Sequence, residues 1–343
     1  MRRKAPTIWE VAEAAGVSIS TVSNVLYGKR GFYSAETAQR VWEAVKRLGY
    51  RPNYHARSLA RQRTFTLGVV VEQLMGNVSH NTYFSIVLDG ILQGATDNNY
   101  QVKIVRIPID AHERAIEHIE DGSVDGVLLV ALWVGSPILE YVERSSVPVV
   151  LAGSIPPNAK LPCVDIDDLA ATYQAVQWLL QLGHRRIGII TGDLRHWSAR
   201  RREQGYLMAL REAGIEPLPS WRFEGDYCLQ AGEMGALQLL RAEPPPTAIV
   251  CGNDHMAMGA LHVLSERGVR VPEDLSLIGF DDVVESAFTV PPLTTIRQPM
   301  FDIGLRATEM LLQQIERGER LHHSLLLPTE LVVRATVAPP ATP

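Results

Sequence analysis

The apolar positions of the chain change their spacing near residue 65. Before it they recur at helical intervals: Ile8, Val11, Ala12 and Ala15 form one stripe, Val17, Val22, Val25 and Leu26 a second, Ala38, Val41, Val45 and Leu48 a third. Each stripe is bounded by residues that start and stop helices. Thr7 and Glu10 have the spacing of a capping box, Ser18 and Ser34 stand at N-cap positions, and Gly16 and Gly49 follow the first and third stripes. Only Gly16 and Val17 separate the first two helices, the tight turn of a helix-turn-helix. The pattern predicts an all-α head over residues 1–50. A linker over 51–64 follows, in which Ala56 to Ala60 form a short helix that is marginal alone.

From Phe65 onward the spacing is that of buried strands and crossover helices. TLGVVV, QVKIVRI, GVLLVAL, VPVVLAG, RIGIIT, TAIVCGN and LSLIGF are continuous apolar runs, as strands covered on both faces read. Amphipathic stretches alternate with them, including predicted helices over 111–120, 172–182 and 202–213. The strand candidates are too many for one standard sheet, so the body over 65–343 reads as α/β with two doubly wound parallel-sheet lobes. Functional side chains in such folds sit at the carboxyl ends of the strands, facing the cleft.

Composition narrows the class. With 343 residues, 46% hydrophobic and 21% charged, the chain can bury a large core, and no apolar run approaches the ~20 residues of a membrane span. The N-terminus is basic with no apolar stretch behind it, which argues against a secretory signal. Cys163, Cys228 and Cys251 are odd in number and widely spaced; they suit a reducing cytoplasm and read as small core hydrophobes, with neither a metal site nor a disulfide framework. Residues 1–63 hold 12 basic and 4 acidic side chains, the remainder 21 and 34, so the head is the part suited to a polyanion. The chain has no GxGxxG after the first strand, no GxxxxGK[ST] and no GxSxG, so an enzyme is not expected and no catalytic residue or cofactor is assigned.

The second helix carries Ser18, Ser20, Thr21, Ser23 and Asn24 in its first two turns, residues that are mediocre helix formers. Short hydroxyl and amide side chains there can reach phosphates and base edges without holding the helix off the major groove. Leu59, set among arginines, suits an apolar wedge in the minor groove.

TIWEVAEAAGVSISTVSNVLYG, ETAQRVWEAVKRLGYRPN and ARSL together resemble the LacI/GalR family of bacterial transcription regulators, and the similarity runs to about Arg334. The resemblance implies a periplasmic-binding-protein type I body in which the chain crosses between lobes near 163, 291 and 323, so that one lobe takes about 65–162 and 292–322 and the other about 163–291 and 323–336; it implies too a homodimer on an approximately palindromic operator and a small-molecule effector between the lobes. It implies base contacts from Ile19, Ser20 and Asn24, backbone contacts from Thr21 and Ser23, and a hinge leucine at Leu59. Thr7, Ser18, Tyr27, Asn53, Arg57 and Ser58 complete the DNA-contact set. Asn24 departs from the Arg or His common there, and the loop GKRGFYSAET is one residue longer than usual. On the effector side it implies Tyr83 and Phe84 as stacking rings, Arg202 of the R-x-x-G-Y pattern, Tyr227, Asn253 beside a capping Asp254, and Asp281. Trp133 and Trp197 lie on loops that rim the cleft, where they serve as stacking surface, Trp133 as a further effector contact, or equally as surface or interface packing.

Gly153 stands where many sugar-responsive relatives carry Asp. An arginine fork, a carboxylate, an amide and flat rings suit a sugar, and they suit a nucleobase or nucleoside as the alternative. A solute-binding protein that never touches DNA is disfavoured by the head.

Overall fold

The computed structural model describes residues 6–29, 31–50, 63–73, 82–108, 112–153, 155–156 and 160–341. Asn53, Arg57, Ser58 and Leu59, with the linker helix, lie outside the described residues. The chain divides into two units, residues 1–64 and 65–343.

The first unit holds α1 (Ile8–Ala15), α2 (Ile19–Leu26) and α3 (Ala35–Leu48). The reciprocal Thr7–Glu10 capping box is present, Gly16 and Gly49 adopt the left-handed conformation, and the Ser18 and Ser34 hydroxyls accept from the Thr21 and Thr37 amides. Val11, Ala12, Ala15, Val22, Val25, Val41 and Ala44 form its core. Ala38 and Val45, expected inside, pack only partly against it, while Ala44 is buried.

The second unit contains two six-stranded sheets. The first runs, in space, β11 (Ser324–Leu327), β5 (Cys163–Ile166), β4 (Val149–Ala152), β3 (Gly126–Val130), β1 (Thr66–Gln73), β2 (Gln101–Pro108), with every pair parallel. The second runs β12 (Glu330–Val332), β10 (Thr294–Arg297), β9 (Ser276–Asp281), β8 (Ala248–Cys251), β6 (Ile187–Thr191), β7 (Arg222–Glu224), and only β12 is antiparallel to its neighbour. Strands such as GVLLV and IGIIT are buried at every position, which is why they read as unbroken apolar runs.

The helices are α4 (Thr82–Asp97), α5 (His112–Glu120), α6 (Pro137–Arg144), α7 (Asp168–Gln181), α8 (Trp197–Glu212), α9 (Leu229–Leu239), α10 (Asp254–Glu266) and α11 (Met300–Arg317). The helices expected to begin at 172 and 202 start four and five residues earlier, because Asp167 caps the first and the cleft loop feeds the second directly. Helices α4 and α11 approach so closely that a Cβ on Gly90 would lie 2.0 Å from the Phe301 carbonyl oxygen, and one on Gly304 2.0 Å from that of Val87.

The crossings between lobes differ from the sequence expectation. Strand β5 belongs to the first sheet, β10 to the second and β11 to the first, so the chain crosses after Ile166, after Arg297 and after Leu327, not near 163, 291 and 323. A buried apolar run predicts a strand without saying which sheet it joins, and each crossing falls after the strand rather than before it. Cys163 and Cys251 are buried as expected, but Cys228 is exposed at the start of α9. Among the described residues no helix is long and apolar enough to cross a membrane.

Candidate functional site

In the first unit the core packing of α2 decides what it presents. Val22 and Val25 are buried, which turns Ser20, Ser23, Asn24 and Tyr27 to the opposite stripe at i, i+3, i+4 and i+7. Ser20 is exposed; Ser23, Asn24 and Tyr27 are half-buried, and the Asn24 amide is not engaged by another side chain among the described residues. Ser18 and Thr21 are tied into the start of the helix: the Ser18 hydroxyl lies 2.7 Å from that of Ser20 and 2.8 Å from that of Thr21, while accepting from the Thr21 N–H at 3.1 Å. Ile19 packs partly against the core, leaving one edge at the surface. Thr7 is likewise engaged with Glu10. The sequence reading missed three exposed aromatics of this unit, Trp9, Phe32 and Trp42.

In the second unit the strand ends bring together a buried polar cluster from both lobes. Arg202 of α8 is its centre. Its Nε donates to Asp168 Oδ1 at 2.7 Å, an Nη to the Gly252 carbonyl at 2.6 Å, and its guanidinium lies 3.5 Å from the centre of the Phe280 ring. Burial works against this cation, but Asp168, Tyr227 and Asp281 outweigh it and hold the group firmly charged. Asp281, at the end of β9 with φ 119°, accepts from the Gln298 amide, and burial raises its carboxyl to about 6 against the pull of Arg202. Burial also pushes the Tyr227 phenol up to about 12 and raises that of Tyr83, which feels Asp165, Asp168, Arg202 and Asp281 together. Tyr83, Arg202, Tyr227 and Asp281 are therefore near one another, as expected.

The cap at the start of α10 falls to the other of its two Asx residues. Asn253 is the N-cap, its Oδ1 accepting from the Met256 N–H at 2.9 Å, and its amide donates to the Tyr227 carbonyl at 3.0 Å. Asp254, expected to cap, is fully buried and accepts from the Val283 N–H at 2.9 Å and from the Thr295 hydroxyl. Burial and the charge of Asp281 raise its carboxyl to about 8. It thus fixes the turn that carries Asp281.

Of two further residues expected near the effector, one packs into the core and the other into the contact between the lobes. Phe84 is 3% exposed and belongs to the core, since its neighbour Tyr83 points about 100° away around the same helix. Trp133 is buried, with its backbone N–H on Glu72 Oε2 at 3.2 Å and its indole N–H on the Glu72 carbonyl at 3.4 Å. Its ring meets His196 at 5.2 Å and the Arg195 guanidinium at 4.7 Å. Trp133 and His196 form an antiparallel β-bridge, and the Val134 N–H donates to the Arg195 carbonyl at 2.8 Å. These two residues clasp one lobe to the other, with the His196 ring edge-on to Tyr227 at 6.0 Å. Trp197 is half-buried under Arg200. Asp165 and Asp168 were missed by the sequence reading, although an aspartate inside a strand otherwise buried on both faces, CVDI, is a signal.

Residues 7–53 match the family model described as bacterial regulatory proteins, lacI family, and residues 176–337 match that of a periplasmic binding protein-like domain. The HTH-type transcriptional repressor CytR of Escherichia coli (strain K12) is 36% identical over 337 residues, 97% of this chain and 96% of that one. The lac repressor dimer bound to operator and the anti-inducer ONPF superposes with a TM-score of 0.87 at 29% identity, covering 98% of this chain and 100% of that one. A complex of the transcriptional regulator CelR with cellobiose gives 0.74 at 31% identity, over 96% and 99%. With a helix-turn-helix head, two parallel-sheet lobes and a polar cluster between them, the chain belongs to the LacI family of bacterial regulatory proteins.

Proposed function

We propose that this chain represses transcription by holding operator DNA through its three-helix unit, under the control of a small molecule bound between its lobes. The observation that carries the reading is the α2 stripe of Ser20, Ser23, Asn24 and Tyr27 opposite the buried Val22 and Val25. In a helix-turn-helix that face enters the major groove. Ile19, Ser20 and Asn24 read base edges; Thr7, Ser18, Thr21, Ser23 and Tyr27 position the helix on the backbone. Asn53, Arg57 and Ser58 extend that contact, and Leu59 wedges into the minor groove.

Two copies act on an approximately palindromic site, as the operator-bound relative is a dimer. A self-association surface is available in Val284, Phe288 and Val290, which are 76%, 79% and 93% exposed on one short segment. The DNA places the protein in the cytoplasm. Tyr83, Arg202, Tyr227, Asn253 and Asp281 hold the effector, and the class they fit is a sugar, the class bound by the cellobiose-bound relative.

Operator selection from random DNA, followed by retention measured against salt, tests the reading. Specific binding should fall steeply as salt rises, and Asn24→Ala should cost about 1–3 kcal/mol of discrimination at one base pair of each half-site. A selected site that Asn24→Ala binds with unchanged base preference would sink the assignment of α2.

A further inference from the structure

The three crossings between the lobes all use strands at one edge of each sheet. Ile166 ends β5, Arg297 ends β10 and Leu327 ends β11; β11 and β5 are outermost in the first sheet, and β10 is next to the edge strand β12 in the second. The clasp of Trp133 and His196 lies away from that edge. Trp133 follows β3, two strands in from β5, and His196 follows β6, three strands in from β10. At about 4.8 Å per strand, the clasp stands about 10–14 Å from the crossings. A rotation about the crossings therefore parts it by about 0.2 Å per degree, and about 5° is enough to break its hydrogen bond.

Each half of the clasp is built within its own lobe. Trp133 is held by its backbone and indole N–H groups on Glu72, whose carboxylate also takes the Ser136 hydroxyl. Ala131, which leads into it, has φ 50°, a left-handed backbone that favours glycine. On the other lobe Asp193 holds the Arg195 guanidinium through Nε at 2.9 Å and Nη2 at 2.5 Å, and its carbonyl accepts from the His196 N–H at 2.9 Å. The halves are joined by the Val134–Arg195 backbone hydrogen bond and by the His196 and Arg195 contacts with the Trp133 ring. The Thr82 hydroxyl and His255 Nε2, 3.5 Å apart, also touch from lobe to lobe. Two preformed pieces that meet in this way can part and re-form without unfolding either lobe.

Behind the clasp stands Tyr227. The His196 ring is edge-on to it at 6.0 Å, its hydroxyl lies 3.3 Å from that of Ser198, and its ring covers Gly192, where a Cβ would stand 2.0 Å from it. We infer that the clasp is a latch over the cleft: it holds the lobes closed with no effector bound, and a ligand reaches Tyr227 and Arg202 only after it releases. The inference rests on the reading of the cleft as the effector site and adds how that site is entered. Trp133, Arg195 and His196 are then positioning residues, which act on the effector through closure of the lobes. Binding takes two steps, release and capture, and the released fraction of the protein scales the rate of entry.

A thiol placed behind the latch in the full chain tests this. Ser198→Cys, made with the exposed Cys228 replaced by serine, sets a sulfur beside Tyr227, while Cys163 and Cys251 are buried. Its reaction with DTNB is followed with no effector present, and amide exchange over residues 132–136 is measured on the same proteins. Trp133→Leu and, from the other lobe, His196→Ala should each speed labelling by about tenfold or more and deprotect the Val134 N–H. Exchange within β3 and β6 should stay as it was, since neither variant touches those strands' ladders. His196 is half-buried, so its variant carries the test should Trp133→Leu fold poorly.

An unchanged labelling rate in either folded variant, or a Val134 N–H already unprotected in the parent protein, overturns the latch. Exchange that rises through β3 or β6 as well would make Trp133 a core residue and overturn it too. The effector reading fails separately. A rise in Tm with cellobiose that Asp281→Asn leaves intact would move the ligand out of the cleft, and faster labelling of the Ser198→Cys thiol in the latch variants would still stand.

Discussion

Replacing Arg202 by methionine takes the buried cation away from Asp168 and Asp281 while keeping an apolar stem over Phe280. The Arg202 and Asp168 side chains are 8% and 2% exposed, so water cannot replace what is lost. With charge centres about 4 Å apart and an effective dielectric of about 20, their attraction is about 4 kcal/mol. The charge-assisted bond to the Gly252 carbonyl adds about 1.5–3 kcal/mol. Against this, removing the guanidinium recovers several kcal/mol of its own desolvation. The balance for breaking a buried pair from one side is a loss of about 3–5 kcal/mol, most of it the stranded carboxylate.

That origin gives the loss a pH dependence. A carboxyl whose folded value is raised loses stability as pH rises through that value, so Arg202→Met should be penalised most above neutrality and least in acid, where Asp168 is protonated. Urea unfolding followed by tryptophan fluorescence at about pH 5 and about pH 8 measures both ends. Adding Asp168→Asn should restore much of the loss at the higher pH. A cost below about 1 kcal/mol at neutral pH, or one that grows on acidification, would refute the electrostatic account.

The clasp responds to acid in the opposite sense. Burial lowers the His196 imidazole to about 4, so the unfolded chain takes up its proton first, and the stability of the neutral ring is lost as pH falls from about 6.5 toward 4. His196→Gln should flatten calorimetric Tm over that window; a persisting acid slope would mean that other groups cause it. At Gly153, φ is 69° and the Tyr83 hydroxyl occupies the space of a Cβ, so Gly153→Ala should displace that ring. Effector affinity should fall at least tenfold while operator binding without effector is kept; unchanged affinity would show that Tyr83 is not a contact.

What the sequence disclosed was local. The caps at Thr7, Ser18 and Ser34 depend on residues three positions apart, and the doubly buried strands on composition within a few residues, so both could be read directly. The partition of strands between sheets could not, because it depends on which distant strand each pairs with. The α10 cap went to Asn253 and not to Asp254 for a finer reason. Both residue types cap helices well, and the choice was made by the extended backbone of Asn253 and by Val283 and Thr295, which engage Asp254 from 29 and 41 residues away. Trp133 looked like a stacking ring because nothing near it in sequence reveals Glu72 or His196.

Gly153 and Tyr83 are two halves of one arrangement. The family resemblance leads one to look for a carboxylate at position 153, and a side chain there is barred by the left-handed backbone and by Tyr83. The Tyr83 hydroxyl fills the space that such a side chain would take. A ligand shaped for a carboxylate at 153 would meet that phenol instead. Discrimination between effectors would follow from that replacement, because a buried donor left without its carboxylate costs far more than a missed contact with a neutral ring.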